Sequence, residues 1–365
     1  MKLVYLSPVP WQSISQRPHF FVQQALEQGI TEVLWVEPYP GRLPVWQDFI
    51  LSRHAPEPAG VAVLPGLKVI GQRLLPVEPF APLFKLCNGR KLANLQYQIN
   101  DFVAAEPTIL VVGKPSRLAL TLLAQPHWQA RWFDAMDNYP AFYSGVSRAS
   151  MASLEQAVVA KVDKLLCSSH ALAEKFSTHS NVQLLLNATT GYMVRPAEQL
   201  KDASVVDTVP AGEAPLCFGY IGTISEWFDW GWVKALAEQF PAATIKLVGP
   251  LKVLKPRDLP ANVQLLPAVP HTEVPALLAT FSAGLIPFLV NDITKYVDPV
   301  KYYEYVAAGL PVLSTEFGEM PWHAANVSSL YMAANPDFDD ISAFLVKSVV
   351  AQQITWQQRF ADVFE

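Results

Sequence analysis

The stretch "VDPVKYYEYVAAGLPVLST", residues 297–315, decides how this chain is read. It passes from a loop through an Asp-Pro pair into an amphipathic segment, stops at a glycine and resumes as a short apolar run. Asp298 followed by Pro299 has the form of an N-cap and first helical position, and Gly309 that of a terminating glycine. The helix predicted between them carries Lys301 at its third position. A cation there opposes the positive end of the helix dipole, at a cost of roughly a few tenths of a kcal/mol. Two readings follow. In one, Glu304 lies a turn further on the same face and pairs with the lysine, worth about 0.2–0.5 kcal/mol. In the other, a bound anion compensates: a helix N-terminus after an α/β loop attracts phosphate through its free N–H groups, and a lysine adds a point charge. Glu304 then stands where two vicinal hydroxyls would donate to it. Phosphate plus diol describes a nucleotide.

Outward from this segment the pattern repeats. Short apolar runs such as "KLVYL", "EVLWVE", "TILVVG", "ARWFDAM" and "DKLLCSS" in the first half, and "LCFGYIG", "ATIKLVG", "VQLLPAV", "AGLIPFL" and "PVLST" in the second, alternate with amphipathic stretches. Strand and helix in alternation predict an α/β fold of parallel sheets covered on both faces. A polar stretch without periodicity, "AEQLKDASVVDTVPAGEAP", breaks the series and sets a domain boundary near 190–215. The expected organisation is a first Rossmann-like domain over 1–195, a second over 196–345, and a C-terminal helix over 346–365 that packs back on the first. Ligands in such sheets gather beyond the carboxyl ends of the strands, so the two domains are expected to face each other across a cleft.

The chain of 365 residues is 51% hydrophobic and 16% charged, enough apolar matter for two cores. Its formal net charge of -5 gives no bulk attraction to nucleic acid, so an anionic ligand must be met by a local cluster. Cys87, Cys167 and Cys217 are scattered, odd in number and without CxxC spacing, which argues against a metal centre or a disulfide framework and for a reducing cytoplasm. The start "MKLVYLSPVPW" reads as a first strand and not a signal peptide, and no run approaches a transmembrane span. No GxGxxG follows the first strand, which weighs against a dinucleotide oxidoreductase.

The segment 297–315 resembles the nucleotide-binding helix of GT-B glycosyltransferases, in which a Glu, four further residues and Gly-x-Pro-Val precede a strand. The similarity is strongest to bacterial exopolysaccharide and teichuronic-acid glycosyltransferases, including the xanthan glucuronosyltransferase type. It implies a GT-B fold, with Glu304 on the donor ribose, Lys301 on the diphosphate and Tyr302 beside them. "FGYIGTISEWFDWGWVKAL" resembles the donor-side loop of the same group, with Gly219, Gly222 and Thr223 near the diphosphate and a helix beginning near Asp229. An ordinary tight strand-to-helix turn also accounts for those glycines. The loop at 267–269 lies near the nucleobase in that group. Many retaining members carry a second Glu in the segment just before the first, where this chain has Val297. That departure favours inversion.

Inverting transfer needs a base from the first domain. "RWFDAMDNYPAFYSG" sets Asp134 and Asp137 at the end of an apolar run among aromatics, where burial raises a carboxyl pKa toward neutrality. A turn or cap role is the plainer reading of either; Asp137 is the first candidate base and Asp134 the second. Arg17 and His19 in "WQSISQRPHF", and Lys114 and Arg117 in "VGKPSRLAL", stand at helix starts after strands and are candidate acceptor or cleft residues. No DxD metal motif is evident, so the expected site has no metal and no cofactor, with a UDP-linked sugar as the donor substrate. "FAPLFKLCNGRKLANLQYQI" mixes apolar residues with Lys85, Arg90 and Lys91, which suits either a core-facing helix or peripheral contact with an anionic membrane presenting a lipid-linked acceptor. The activity expected from the resemblance is hexosyl transfer to a glycan or lipid-linked saccharide. A sugar-nucleotide epimerase of the same fold would consume donor without acceptor. A non-catalytic sugar-nucleotide or polysaccharide-binding protein would not need Asp137.

Overall fold

The computed structural model describes residues 1–13, 15–44, 64–103, 106–191, 215–327, 329–345 and 354–364. The chain divides into two compact units, Met1–Leu186 with Phe360–Glu365, and Asn187–Arg359. The stretch expected to divide the domains lies mostly outside the described residues, as do 346–353 of the expected C-terminal segment.

In the first unit, chain order is β1 (Lys2–Leu6), α1 (Arg17–Glu27), β2 (Glu32–Val36), β3 (Leu67–Ile70), α2 (Ala81–Val103), β4 (Thr108–Val112), α3 (Arg117–Leu123), β5 (Ala130–Ala135), α4 (Gly145–Val159), β6 (Lys164–Cys167), α5 (His170–Lys175) and β7 (Val182–Leu184). The strands form one sheet in the order β3-β2-β1-β4-β5-β6-β7, parallel throughout. The apolar runs become strands because a sheet covered on both faces needs apolar side chains at consecutive positions: every residue of β4 is buried, and all of β1 after Lys2. After Phe360 the chain belongs to this unit again. The Phe360 and Phe364 rings lie 5.3 and 5.0 Å from that of Phe21, and Gln28 Nε2 donates to the Phe360 carbonyl at 3.0 Å.

The second unit runs β8 (Cys217–Ile221), α6 (Trp230–Gln239), β9 (Thr244–Val248), β10 (Val263–Leu266), α7 (Val274–Leu278), β11 (Ala283–Ile286), α8 (Val300–Ala307), β12 (Val312–Ser314), α9 (Met320–Asn326), β13 (Leu330–Met332), α10 (Phe338–Leu345) and α11 (Trp356–Arg359). Its sheet has the order β10-β9-β8-β11-β12-β13, again all parallel. Asp229 caps α6 by accepting from Trp232 N at 2.9 Å, as its position predicts.

Both sheets are doubly wound, and in each the order reverses between the first strand and its neighbour on the other side: β1 and β4, then β8 and β11. The reversal opens a crevice at the carboxyl ends of those strands, which is where such folds bind ligands. The strands that sequence patterning does not single out, β3 and β13, are short edge strands with exposed or half-buried positions, so they carry no long apolar run.

Candidate functional site

In the second unit the switch point is built by glycines. Gly222 follows β8 with φ 154°, and a Cβ placed on it would meet Lys301 Cε at 2.2 Å and Nζ at 2.6 Å. Gly249, after β9 at φ 142°, would meet the Gly222 carbonyl at 2.2 Å. The two strand ends therefore approach as closely as they do only because neither carries a side chain. The Lys301 ammonium rests over the Tyr220 ring, 5.7 Å from its centroid. Burial pulls its pKa below the usual lysine value, and Glu304 opposes that shift without cancelling it. The Tyr305 hydroxyl accepts from Ile221 N at 3.1 Å and fixes the end of β8 against α8.

The start of α8 differs from the expectation. Its N-cap is Pro299, at φ -79° and ψ 121°, so Lys301 sits at the second helical position and not the third. Asp298 caps nothing. Its Oδ2 accepts from Asn187 N at 2.6 Å and from the Tyr303 hydroxyl at 2.9 Å, while Oδ1 meets His323 Nε2 at 2.9 Å. A buried carboxylate is best satisfied by several donors, and this tertiary set outcompetes the local cap. The first turn of α8 is left with no acidic residue and no side-chain cap. Tyr302 is 1% exposed and stacks on His323, centroids 3.9 Å apart. Glu304 is half-buried one turn beyond Lys301, and Thr223 is half-buried with its carbonyl accepting from Tyr220 at 2.8 Å.

At the carboxyl end of the first sheet, the two aspartates take opposite roles. Asp134, fully buried on β5, accepts from Arg17 Nε at 2.9 Å and from the Tyr5 hydroxyl at 2.8 Å, and its Oδ1 lies 2.9 Å from Arg17 Nη2. Arg17 Nη1 also donates to the Leu185 carbonyl at 2.7 Å. Both are buried in one cluster of opposite charges, which engages the side chains of the second candidate base and of a candidate cleft residue. His19 is placed at the start of α1. It is buried, its Nδ1 accepts from Gln16 N at 3.1 Å and its Nε2 meets the Trp11 carbonyl at 3.0 Å, which makes it half of a reciprocal cap on α1.

Asp137, three residues past Asp134, is half-buried in the loop after β5. Burial lifts its carboxyl to about 7; the Asp134 charge pushes the same way and Arg17 opposes. Lys114 Nζ donates to the Tyr39 carbonyl at 3.2 Å, and Arg117 Nε donates to the Glu78 carbonyl at 2.8 Å, so these cations tie their helix start to the loop carrying Tyr39 and Glu78.

Glu78, Tyr220 and Gly249 were not foreseen. A glycine closing the run "KLVG" was the available signal for Gly249, whereas nothing local marks Tyr220 or Glu78.

No family model matches this chain. It is 27% identical over 206 residues to a Bacillus subtilis (strain 168) protein whose assignment as a teichuronic acid biosynthesis glycosyltransferase, TuaH, is itself provisional; the match covers 52% of this chain and 51% of that protein. The chain thus spans about half the length of the curated relative it matches. Among solved structures, a sucrose-phosphate synthase from Thermosynechococcus elongatus superposes with a TM-score of 0.62 at 12% identity, covering 100% of this chain and 95% of that one. HepE from Anabaena, solved with UDP-glucose, gives 0.58 at 13%, covering 94% and 88%. The fold is therefore that of the GT-B glycosyltransferases, two Rossmann-like domains in one chain, and the resemblance carried by residues 297–315 runs in the same direction.

Proposed function

We propose that this protein is a glycosyltransferase that moves a hexosyl group from a nucleotide-diphosphate sugar to a glycan or lipid-linked saccharide acceptor in cell-surface or exopolysaccharide synthesis. The observation that carries the reading is Lys301 lying against Gly222 at the switch point of the second sheet, beside a helix start with no side-chain cap and no acid in its first turn. A half-desolvated cation and free helix N–H groups at the carboxyl end of a parallel sheet suit a diphosphate. Glu304, one turn along α8, suits the ribose hydroxyls, with Thr223 and the loop at 267–269 around the rest of the donor. UDP is the preferred nucleotide because the HepE structure that shares the fold holds UDP-glucose.

In the reaction, an acceptor hydroxyl oxygen bonds to the anomeric carbon from the face opposite the leaving group. Asp137 takes the hydroxyl proton, and the bond to the diphosphate breaks with its electron pair on the leaving oxygen. A carboxyl poised near 7 is matched to that proton transfer, and Val297 offers no carboxylate for a double displacement. Lys301 and the helix start neutralise the departing diphosphate, the task a metal performs elsewhere, so the proposed reaction needs neither metal nor cofactor. Chelation with EDTA is expected to leave the rate unchanged.

No helix among the described residues is long and apolar enough to cross a membrane. Peripheral contact at the cytoplasmic face is proposed for α2, which exposes Leu86 at 82% and Tyr97 at 71% beside exposed Lys85, Arg90 and Lys91. Binding to anionic but not zwitterionic vesicles at low salt is the expected result; no binding to either sinks that part.

The catalytic reading is tested by Asp137→Asn with a UDP-sugar and a panel of saccharide acceptors. Loss of about 10²–10⁴-fold in turnover with UDP affinity intact is expected for a general base. Undiminished turnover removes Asp137 from the mechanism, and donor consumption without any acceptor favours an epimerase.

A further inference from the structure

Tyr220, the last residue but one of β8, is 1% exposed, and the proposed reaction gives it no part. A buried tyrosine is ordinarily explained by its apolar area and by a partner for its hydroxyl. Both are present. The Phe228 and Phe288 rings meet it edge-on, with centroids 5.1 and 6.2 Å away, while its hydroxyl donates to the Thr223 carbonyl at 2.8 Å and meets the Trp227 side chain. The hydroxyl is thus engaged by the loop that follows β8, and its proton is already given to the chain. The face of the ring serves something else.

Side chains two positions apart on a strand point to the same side, and the one that would follow Tyr220 is missing because position 222 is glycine. A Cβ there would lie 3.0 Å from the Tyr220 hydroxyl, 2.2 Å from Lys301 Cε and 2.6 Å from its Nζ. The end of the lysine therefore fills the space that any other residue at 222 would take. It arrives from the second helical position of α8 and rests with Nζ 5.7 Å from the Tyr220 ring centroid. Burial penalises the ammonium, Glu304 attracts it, and the ring lies beneath it. An aromatic face is electron-rich, so it stabilises an ammonium without taking up the N–H bonds that a phosphate oxygen would accept. Such a contact is worth roughly a factor of two at an exposed site and thirty where water is excluded.

We propose that Tyr220 is the positioning residue for Lys301: the face of its ring, and not its hydroxyl, holds the ammonium over the switch point, placed for a diphosphate. The diphosphate rests on the glycosyltransferase reading; the contact of ring and ammonium does not.

The test separates the charge distribution of the ring from its shape. The full chain is prepared as Tyr220→Leu, as Tyr220→Phe and as Tyr220→3,4,5-trifluorophenylalanine, and each is titrated with UDP by calorimetry. In the same chains with carbon-13-labelled lysine, the Lys301 Cε resonance, assigned by its loss in Lys301→Arg, is followed against pH without nucleotide. Tyr220→Leu should weaken UDP binding about tenfold or more and lower the Lys301 pKa further, and Tyr220→Phe should recover most of both losses. Leucine also opens a gap in the core, so the comparison between the two phenylalanine rings decides. They have nearly one shape, but fluorination strips the face of its negative charge. The fluorinated ring should bind UDP about threefold or more weakly than Tyr220→Phe and lower the Lys301 pKa by about half a unit. In a Lys301→Ala background the two rings should bind UDP alike.

The proposal is overturned if fluorination changes neither the UDP affinity nor the Lys301 titration, which makes the ring mere packing. It is equally overturned if Tyr220→Phe loses as much as Tyr220→Leu, which moves the role to the hydroxyl. A wild type that binds no UDP, with a Lys301 pKa that still follows the ring series, would keep Tyr220 as the holder of the lysine and remove the donor reading.

Discussion

The carboxyl ends of the two sheets treat charge in opposite ways. In the first unit Arg17 and Asp134 are buried together, and hydrogen bonds from Tyr5 and to Leu185 complete a neutral cluster. In the second, Lys301 is held over an aromatic ring and a glycine, and the attraction of Glu304 does not offset its burial. A charge that is fully answered within the chain holds the fold together; a charge that burial penalises at a switch point is where a ligand is proposed to act. Asp134 and Asp137 repeat the contrast three residues apart: the first is paired with Arg17 and Tyr5, and the second is pushed by burial to about 7 although the Arg17 charge opposes the shift.

The largest expected effect breaks the paired cluster. Arg17→Met strands Asp134 in the core and should cost about 3–5 kcal/mol in chemical denaturation, most of it recovered in Arg17→Met/Asp134→Leu, which removes both charges. If the single variant loses under 1 kcal/mol, the cluster is not structural in the sense argued. The next effect sharpens the unpaired side. Gly222→Ala drives a Cβ into the Lys301 side chain and should weaken UDP binding tenfold or more, about 1.4 kcal/mol, in calorimetry. Unchanged affinity would mean that the close approach is mere packing.

The pH effects are smaller and carry a sign. Asp137 has a folded pKa raised above its unfolded value, so between about 4 and 7 the folded state holds more protons and stability falls as pH rises. Asp137→Asn should therefore raise the denaturation midpoint more at pH 8 than at pH 5, and the wild-type transfer rate should climb through pH ~7 as the base ionises. A midpoint difference that is the same at both pH values contradicts the raised pKa. For Lys301 the folded pKa is lowered, so stability rises with pH through the interval below its ordinary value, and bound diphosphate should reverse that trend.

Much of the fold could be read from local pattern, because consecutive apolar residues are what a doubly covered parallel strand requires. β3 and β13 escaped because half-exposed edges need no such run. At the site, the residue types were legible and their assignments less so. Asp298-Pro299 has the form of a cap, but Asn187, 111 positions away, takes its carboxylate. Arg17 and His19 stand at a helix start, and their contacts with Asp134 and the Trp11 carbonyl are ones no local pattern encodes. Lys301 and Gly222 belong to separate segments of the sequence, and only the strand order shows that they meet.

The central claim is that Lys301 stands where it does for the diphosphate of a donor, and calorimetric titration of UDP, GDP, dTDP and ADP into the wild type and Lys301→Ala tests it most directly. One diphosphate should bind the wild type, adding about 2.7 kcal/mol of stability at 100 times its dissociation constant, and the alanine variant should lose most of that gain. If none binds, or Lys301→Ala binds as well as the wild type, the lysine is no more than a packed side chain and the donor site lies elsewhere.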